Sequence, residues 1–127
     1  MRRLYAVIRA ASFLLLATAA WARIGTLVQQ APPKSTAVSD PFEGQQQAQL
    51  AGAKLFAREC AACHGLDARG KGKVPPLNQA DAREAKPGAL FWVLRNGSLK
   101  RGMPSFAHLP EPQRWQIIAY LKTLKRR

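Results

Sequence analysis

The feature that most constrains this chain is a pentapeptide, Cys60-Ala61-Ala62-Cys63-His64. It holds the only two cysteines of the 127 residues and one of the two histidines. Thiols at this spacing serve three chemistries: dithiol–disulfide exchange, half of a zinc site, or the thioether anchorage of a haem. A thiol oxidoreductase normally carries Cys-x-x-Cys after a strand, in a βαβ pattern, and here the preceding segment reads as a helix. A structural zinc site wants four ligands. Cys60, Cys63 and His108 supply three, because the adjacent His64 cannot easily turn to the same ion. Haem attachment uses every residue of the motif. One helical turn brings two sulfurs to the two vinyl groups of a porphyrin, and the next residue offers an imidazole to the iron. The motif favours one haem c, covalent through Cys60 and Cys63, with His64 as proximal ligand. Thiol redox chemistry is the second reading and zinc the third.

The rest of the chain bears on that choice. "MRRLYAVIR" is a basic start, "AASFLLLATAA" a short apolar core, and "AWA" at Ala20–Ala22 suits cleavage before Arg23. The apolar run between Arg9 and Arg23 falls short of the roughly 20 residues of a spanning helix. Residues 1–22 are therefore expected to be a signal peptide, with a retained membrane anchor as the alternative. Export places the chain in a periplasmic or extracytoplasmic compartment, where two idle vicinal thiols are not expected to persist. Residues 23–47 are rich in Gln, Pro and Ser and read as a flexible linker, hence a membrane tether if the leader is kept. Residues 48–127 form the expected folded domain. A domain this small often depends on a staple such as a metal, a disulfide or a large cofactor.

Three helical signals lie in it. "QQAQLAGAKLFAREC", from Gln46, spaces Leu50, Ala53, Phe56 and Ala57 for a helix. "KPGALFWVLRNG" has Pro87 near its first turn and stops at Asn96-Gly97. "EPQRWQIIAYLKTLKRR" lines up Trp115, Ile118, Leu121 and Tyr120 or Leu124, with basic residues in its last turns to complement the helix dipole. No stretch alternates with period two, and residues 65–85 and 97–109 read as Gly- and Pro-rich loops. Beyond the leader there is one methionine, Met103, in the stiff polar loop "KRGMPSF". A methionine there is poorly placed as core filler and well suited to be a thioether ligand opposite His64. His108 is the alternative sixth ligand.

With these residues in view, the chain from about Leu50 to Leu124 resembles a class I c-type cytochrome. The resemblance implies an all-α cytochrome c fold, three or more short helices around one covalently attached haem. It implies that Gly52 lets the C-terminal helix cross closely, with Phe56 and Tyr120 packing at the crossing. The first proline of "PPL", Pro75, matches the residue whose carbonyl accepts the Nδ1–H of the ligating histidine, and so braces His64. "GALFWVLRNG" and "GMPSF" resemble the helix and methionine loop of small bacterial members. Leu77, Leu90, Trp92, Leu94 and Phe106 become expected pocket residues, and Trp92 or Arg95 a partner for a haem propionate. The first 47 residues match nothing in that fold.

The expected function is electron transfer by an exported monohaem cytochrome c, cycling Fe(II) and Fe(III) between His64 and Met103, with no catalysed reaction. The alternatives are a cytochrome subunit of a dehydrogenase or oxidase complex and, more remotely, a thiol–disulfide oxidoreductase. Lys+Arg number 20 against 7 Asp+Glu, a formal charge of +13. The basic residues are dispersed and no nucleic-acid signature accompanies them, so nucleic acid is not an expected partner. Lys71, Lys73, Lys100 and Arg101 flank the two loops expected at the haem edge. They suggest a basic collar for a redox partner with an acidic face, bound by a monomer or by one subunit of a redox complex.

Overall fold

The computed structural model describes residues 27–125. The leader read at 1–22, the first positions of the expected linker and the terminal Arg126 and Arg127 lie outside the described residues. Six helices are bounded within them: α1 Pro33–Thr36, α2 Gln46–Glu59, α3 Ala61–His64, α4 Ala80–Arg83, α5 Pro87–Asn96 and α6 Glu111–Leu121. A 3-10 turn, Leu99–Arg101, stands between α5 and α6. Among the described residues extended pairing is confined to one antiparallel bridge, Ser98 to Met103.

Helix α2 forms from strong helix formers and buries Ala48, Gly52, Leu55 and Phe56, a stripe at helical spacing. Pro87 opens α5, where its missing N–H would have had no partner in any case. Gly97 then ends that helix with φ +64°, its N–H donating to Val93 O. Pro112 and Glu111 occupy the first turn of α6, which buries Trp115, Ile118 and Leu121 with Arg114, Ile117 and Ala119.

Helices α2 and α6 make the crossing on which the fold is built. A Cβ on Gly52 would run into the Gln116 carbonyl and lie 2.9 Å from Tyr120 Cβ, so only glycine lets the axes approach this closely. One turn further on, the rings of Phe56 and Tyr120 meet at 5.4 Å in a tilted pair. Phe56, Ile117 and Ile118 are the largest fully buried side chains.

Two expectations are modified. The C-terminal helix stops at Leu121 rather than running through the basic residues. Lys122 caps it and turns its Nζ away, donating to Arg83 O at 2.6 Å and to Ala85 O. Those two carbonyls, left over at the end of α4, are a better partner for the ammonium than the helix terminus. The described part of the segment expected to be a flexible linker is also folded onto the domain. It contains α1, buries Leu27, Ala31 and Asp40, and packs Val28 and Phe42 against the core.

Candidate functional site

The Cys-Cys-His motif sits at the junction of α2 and the single turn α3. Cys60 ends α2, its N–H donating to Phe56 O, and its own carbonyl accepts from Cys63 N at 3.2 Å and His64 N at 2.9 Å. That turn sets Cys60, Cys63 and His64 on the wall of one cavity of about 600 Å³. Gly65, at φ +80°, then turns the chain away. The loop that follows folds back through Gly70 N to His64 O at 2.8 Å and Leu77 N to Ala68 O at 2.7 Å.

That return brings Pro75 to the histidine. His64 Nδ1–H donates to Pro75 O at 3.0 Å. A carbonyl can only accept, so the proton belongs on Nδ1 and the lone pair on Nε2. Burial, the larger influence, pulls the imidazole pKa below its ordinary value, against the Pro75 hydrogen bond. The ring is thus held neutral with Nε2 available to a metal.

Met103 lines the same cavity. Its loop is fastened to α5: Ser98 N donates to Met103 O at 2.8 Å, Met103 N to Ser98 O at 3.1 Å, and Phe106 N to Leu94 O at 2.8 Å. Ser105 Oγ adds a hydrogen bond to Arg95 O at 2.6 Å. Gly97 permits this closeness, since a Cβ there would lie 2.6 Å from the Pro104 carbonyl. Arg114, buried in α6, holds the far end of the loop by donating from Nη1 to Ala107 O at 3.1 Å.

His108, the competing ligand, is exposed and does not line the cavity; its ring leans on Phe106 at 5.9 Å. Leu77, Leu90, Leu94 and Phe106 line the cavity, whereas Trp92 and Arg95 do not. Side chains that sequence reasoning passed over also line it, including Val93 from α5, Ile117 and Leu121 from α6, and Leu27 from the N-terminal segment. Leu121 was legible as part of a helical stripe, though not as cavity wall; Ile117 lay outside that stripe. Leu27 belongs to a short apolar run, Ile24 to Val28, which carries no sign of the cavity that receives it. Lys73, Lys100 and Arg101 stand at the margin.

These residues fit a haem. The volume is that of a cofactor site, roughly 300–1,000 Å³, and the wall is mainly aliphatic and aromatic. A nitrogen donor and a thioether, both acceptable to haem iron, share it. The thiols suit anchorage better than exchange. Cys60 is buried, and burial pushes its pKa up to about 12, the reverse of the activated thiolate a disulfide oxidoreductase requires. Among the described residues no cluster of three or more His, Cys, Asp or Glu side chains is placed to hold a metal ion, so a zinc site finds no ligand set there.

Comparison with known proteins agrees with this chemistry. Residues 47–121 match the family model described as cytochrome c oxidase, cbb3-type, subunit III. The chain is 45% identical over 56 residues to the cbb3-type cytochrome c oxidase subunit CcoP of Rubrivivax gelatinosus, covering 42% of this chain and 18% of that one. It is 32% identical over 96 residues to the quinohemoprotein alcohol dehydrogenase ADH-IIG of Pseudomonas putida, covering 74% of this chain and 13% of that one. The chain therefore spans less than a fifth of the length of either relative. Among solved structures, cytochrome cL of Methylophaga aminisulfidivorans superposes with a TM-score of 0.60 at 24% identity, over 68% of this chain and 59% of that one, a likeness of fold.

Proposed function

The chain belongs to the family of cytochrome c oxidase, cbb3-type, subunit III, and we propose that it is an exported monohaem electron carrier with His64 and Met103 as axial ligands. As a c-type cytochrome it binds haem c covalently, and its activity is electron transfer rather than catalysis of a substrate's conversion. Haem c, when bound, supplies a one-electron Fe(II)/Fe(III) couple.

The protein's own residues would do the rest. Cys60 and Cys63 would anchor the macrocycle from one helical turn. Pro75 O would hold the His64 ring in orientation and raise its basicity as a ligand. Met103, its backbone pinned by Ser98, would offer a thioether to the iron, a donor that raises the potential relative to a second histidine. The aliphatic wall excludes water and disfavours the more highly charged ferric state. The observation that carries this reading is the common cavity lined by Cys60, Cys63, His64 and Met103. Its test is the ferric spectrum of Met103→Leu. The variant should keep covalent haem and lose the methionine–iron charge-transfer band, and retention of that band would remove Met103 from the site.

Redox proteins are the partners. Lys73, Lys100 and Arg101 at the cavity margin, with Lys71 close by in sequence, form a basic collar for an acidic docking face. Contacts of this kind raise association rates by about 10 to 10³ at low salt. Electron transfer to such a partner should therefore slow as ionic strength rises; a rate indifferent to salt would dismiss the collar. A fixed relay within a larger oxidase or dehydrogenase is the second reading, favoured because the relatives are a subunit of an oxidase and a dehydrogenase many times the length matched. Purification as a monomer or within a complex separates the two. An N-terminal tether to the membrane remains part of the proposal. No helix among the described residues is long and apolar enough to cross a bilayer, and the leader lies outside them.

A further inference from the structure

We infer that residues 27–45, which precede the family-matched region, are a strap that completes the wall of the haem cavity, with Leu27 as its cavity residue. The inference rests on the haem reading given above, but its supports are independent of the Cys-Cys-His motif.

The first is placement. Leu27 is only 8% exposed and borders the same cavity as His64 and Met103. Every other lining residue comes from position 56 or later. The N-terminal segment thus contributes an apolar group to a site that the remaining domain leaves incomplete.

The second is the fit of the strap to the domain. At Gly88, in the first turn of α5, an added Cβ would collide with Ser35 O and lie 2.7 Å from Val38 O. The backbone of the segment lies directly on the helix at that point, and only hydrogen fits between them. The same helix carries Leu90, Val93 and Leu94 into the cavity, so the strap is seated on the element that builds the pocket. Burial continues along the segment: Ala31 is 8% exposed, Val28 and Phe42 pack on the core, and Asp40 folds over to accept the Phe42 N–H at 2.8 Å. A tether that merely passed the domain would not bury Leu27, Ala31 and Asp40 and half-bury Val28 and Phe42.

The physical consequence is local. An apolar side chain at this wall keeps water from the iron's surroundings, and the ferric form, which carries more charge, is stabilised when water or a dipole replaces it.

The test uses the full chain, with haem content measured first. Leu27→Gln keeps the volume and adds a dipole at the wall. It should retain covalent haem and shift the Fe(III)/Fe(II) equilibrium toward ferric, on the order of tenfold, or about 59 mV lower in potential for one electron. Gly88→Ala acts at a distance from the cavity. Alanine is the better helix former, so harm from it reports the lost seat of the strap rather than damage to α5. It should lower the potential in the same direction. It should also speed tryptic cleavage after Lys34, in α1, by about tenfold, since cleavage there requires the strap to open. A potential unchanged in Leu27→Gln would overturn the role of Leu27. Cleavage after Lys34 in the unaltered protein as fast as in a free peptide would overturn the strap, whether or not haem is bound. If neither variant incorporates haem, this cleavage rate and amide-exchange protection across 27–45 in the unaltered protein decide the matter. A protein without haem but with a protected strap would instead count against the cofactor reading alone.

Discussion

Replacing Gly52 by alanine should destabilise the protein despite improving the helix that carries it. The new Cβ would meet the Gln116 carbonyl, with the Gln116 carbonyl carbon at 2.6 Å and Tyr120 Cβ at 2.9 Å. Overpacking costs about 1–3 kcal/mol. The upper part of that range applies, because the obstacle is backbone of α6 and cannot rotate aside. Parting α2 from α6 also loosens the Phe56–Tyr120 contact, and such ring pairs are worth about 0.5–1.5 kcal/mol. Alanine returns about 1 kcal/mol of helix propensity. The balance is a loss of about 2–3 kcal/mol, which lowers Tm by roughly 10–20 °C for a domain of this size. Thermal unfolding of the haem-loaded protein, followed by far-ultraviolet circular dichroism, measures it. A Tm equal to or above that of the unaltered protein would show that the helices do not depend on close approach at Gly52.

Other outcomes follow from the same structure. Lys122→Met should cost about 1–3 kcal/mol in urea unfolding, because the Arg83 and Ala85 carbonyls lose the ammonium that satisfies them. Asp40 gives a pH dependence. Burial, the largest influence, raises its carboxyl above the ordinary carboxylate value, Glu43 adds to this, and the Phe42 N–H and Lys122 oppose it. The folded protein then holds this proton more tightly than the unfolded chain. Its contribution to stability is present below the ordinary pKa and is lost as pH rises through the raised one. Asp40→Asn keeps an oxygen for Phe42 N–H and should flatten the stability profile over mildly acidic pH; an unchanged slope in denaturation midpoints would refute this. His108→Ala should leave the ferric spectrum of the haem protein unaltered, since His108 stands outside the cavity; a changed axial-ligand spectrum would reopen the choice against Met103.

The helices were legible because the residues responsible act locally, and their crossing was legible through resemblance. Gly52, Phe56 and Tyr120 mark one helix contact, and Cys60, Cys63 and His64 occupy a single turn. Met103 stood out by its polar loop, whereas Pro75 was legible only through resemblance; the loops that return both to the cavity are closed by backbone hydrogen bonds, such as Gly70 N to His64 O, that no side-chain pattern announces. The N-terminal segment was misjudged for a related reason. Composition rich in Gln, Pro and Ser signals a weak core of its own, which is true of residues 27–45. It carries no information about a surface elsewhere that receives them, and the matching signal, Gly88, lies in a different helix. The end of α6 was overestimated because Lys122 suits a helix C-terminus by charge, while two unpaired carbonyls at the end of α4 make a stronger claim on it.

The most direct measurement is the mass and absorption spectrum of the purified full chain, oxidised and reduced. The account predicts one haem per chain that survives denaturation, no titratable thiol at Cys60 or Cys63, and a ferric methionine–iron charge-transfer band. A colourless protein with two reactive thiols would contradict it.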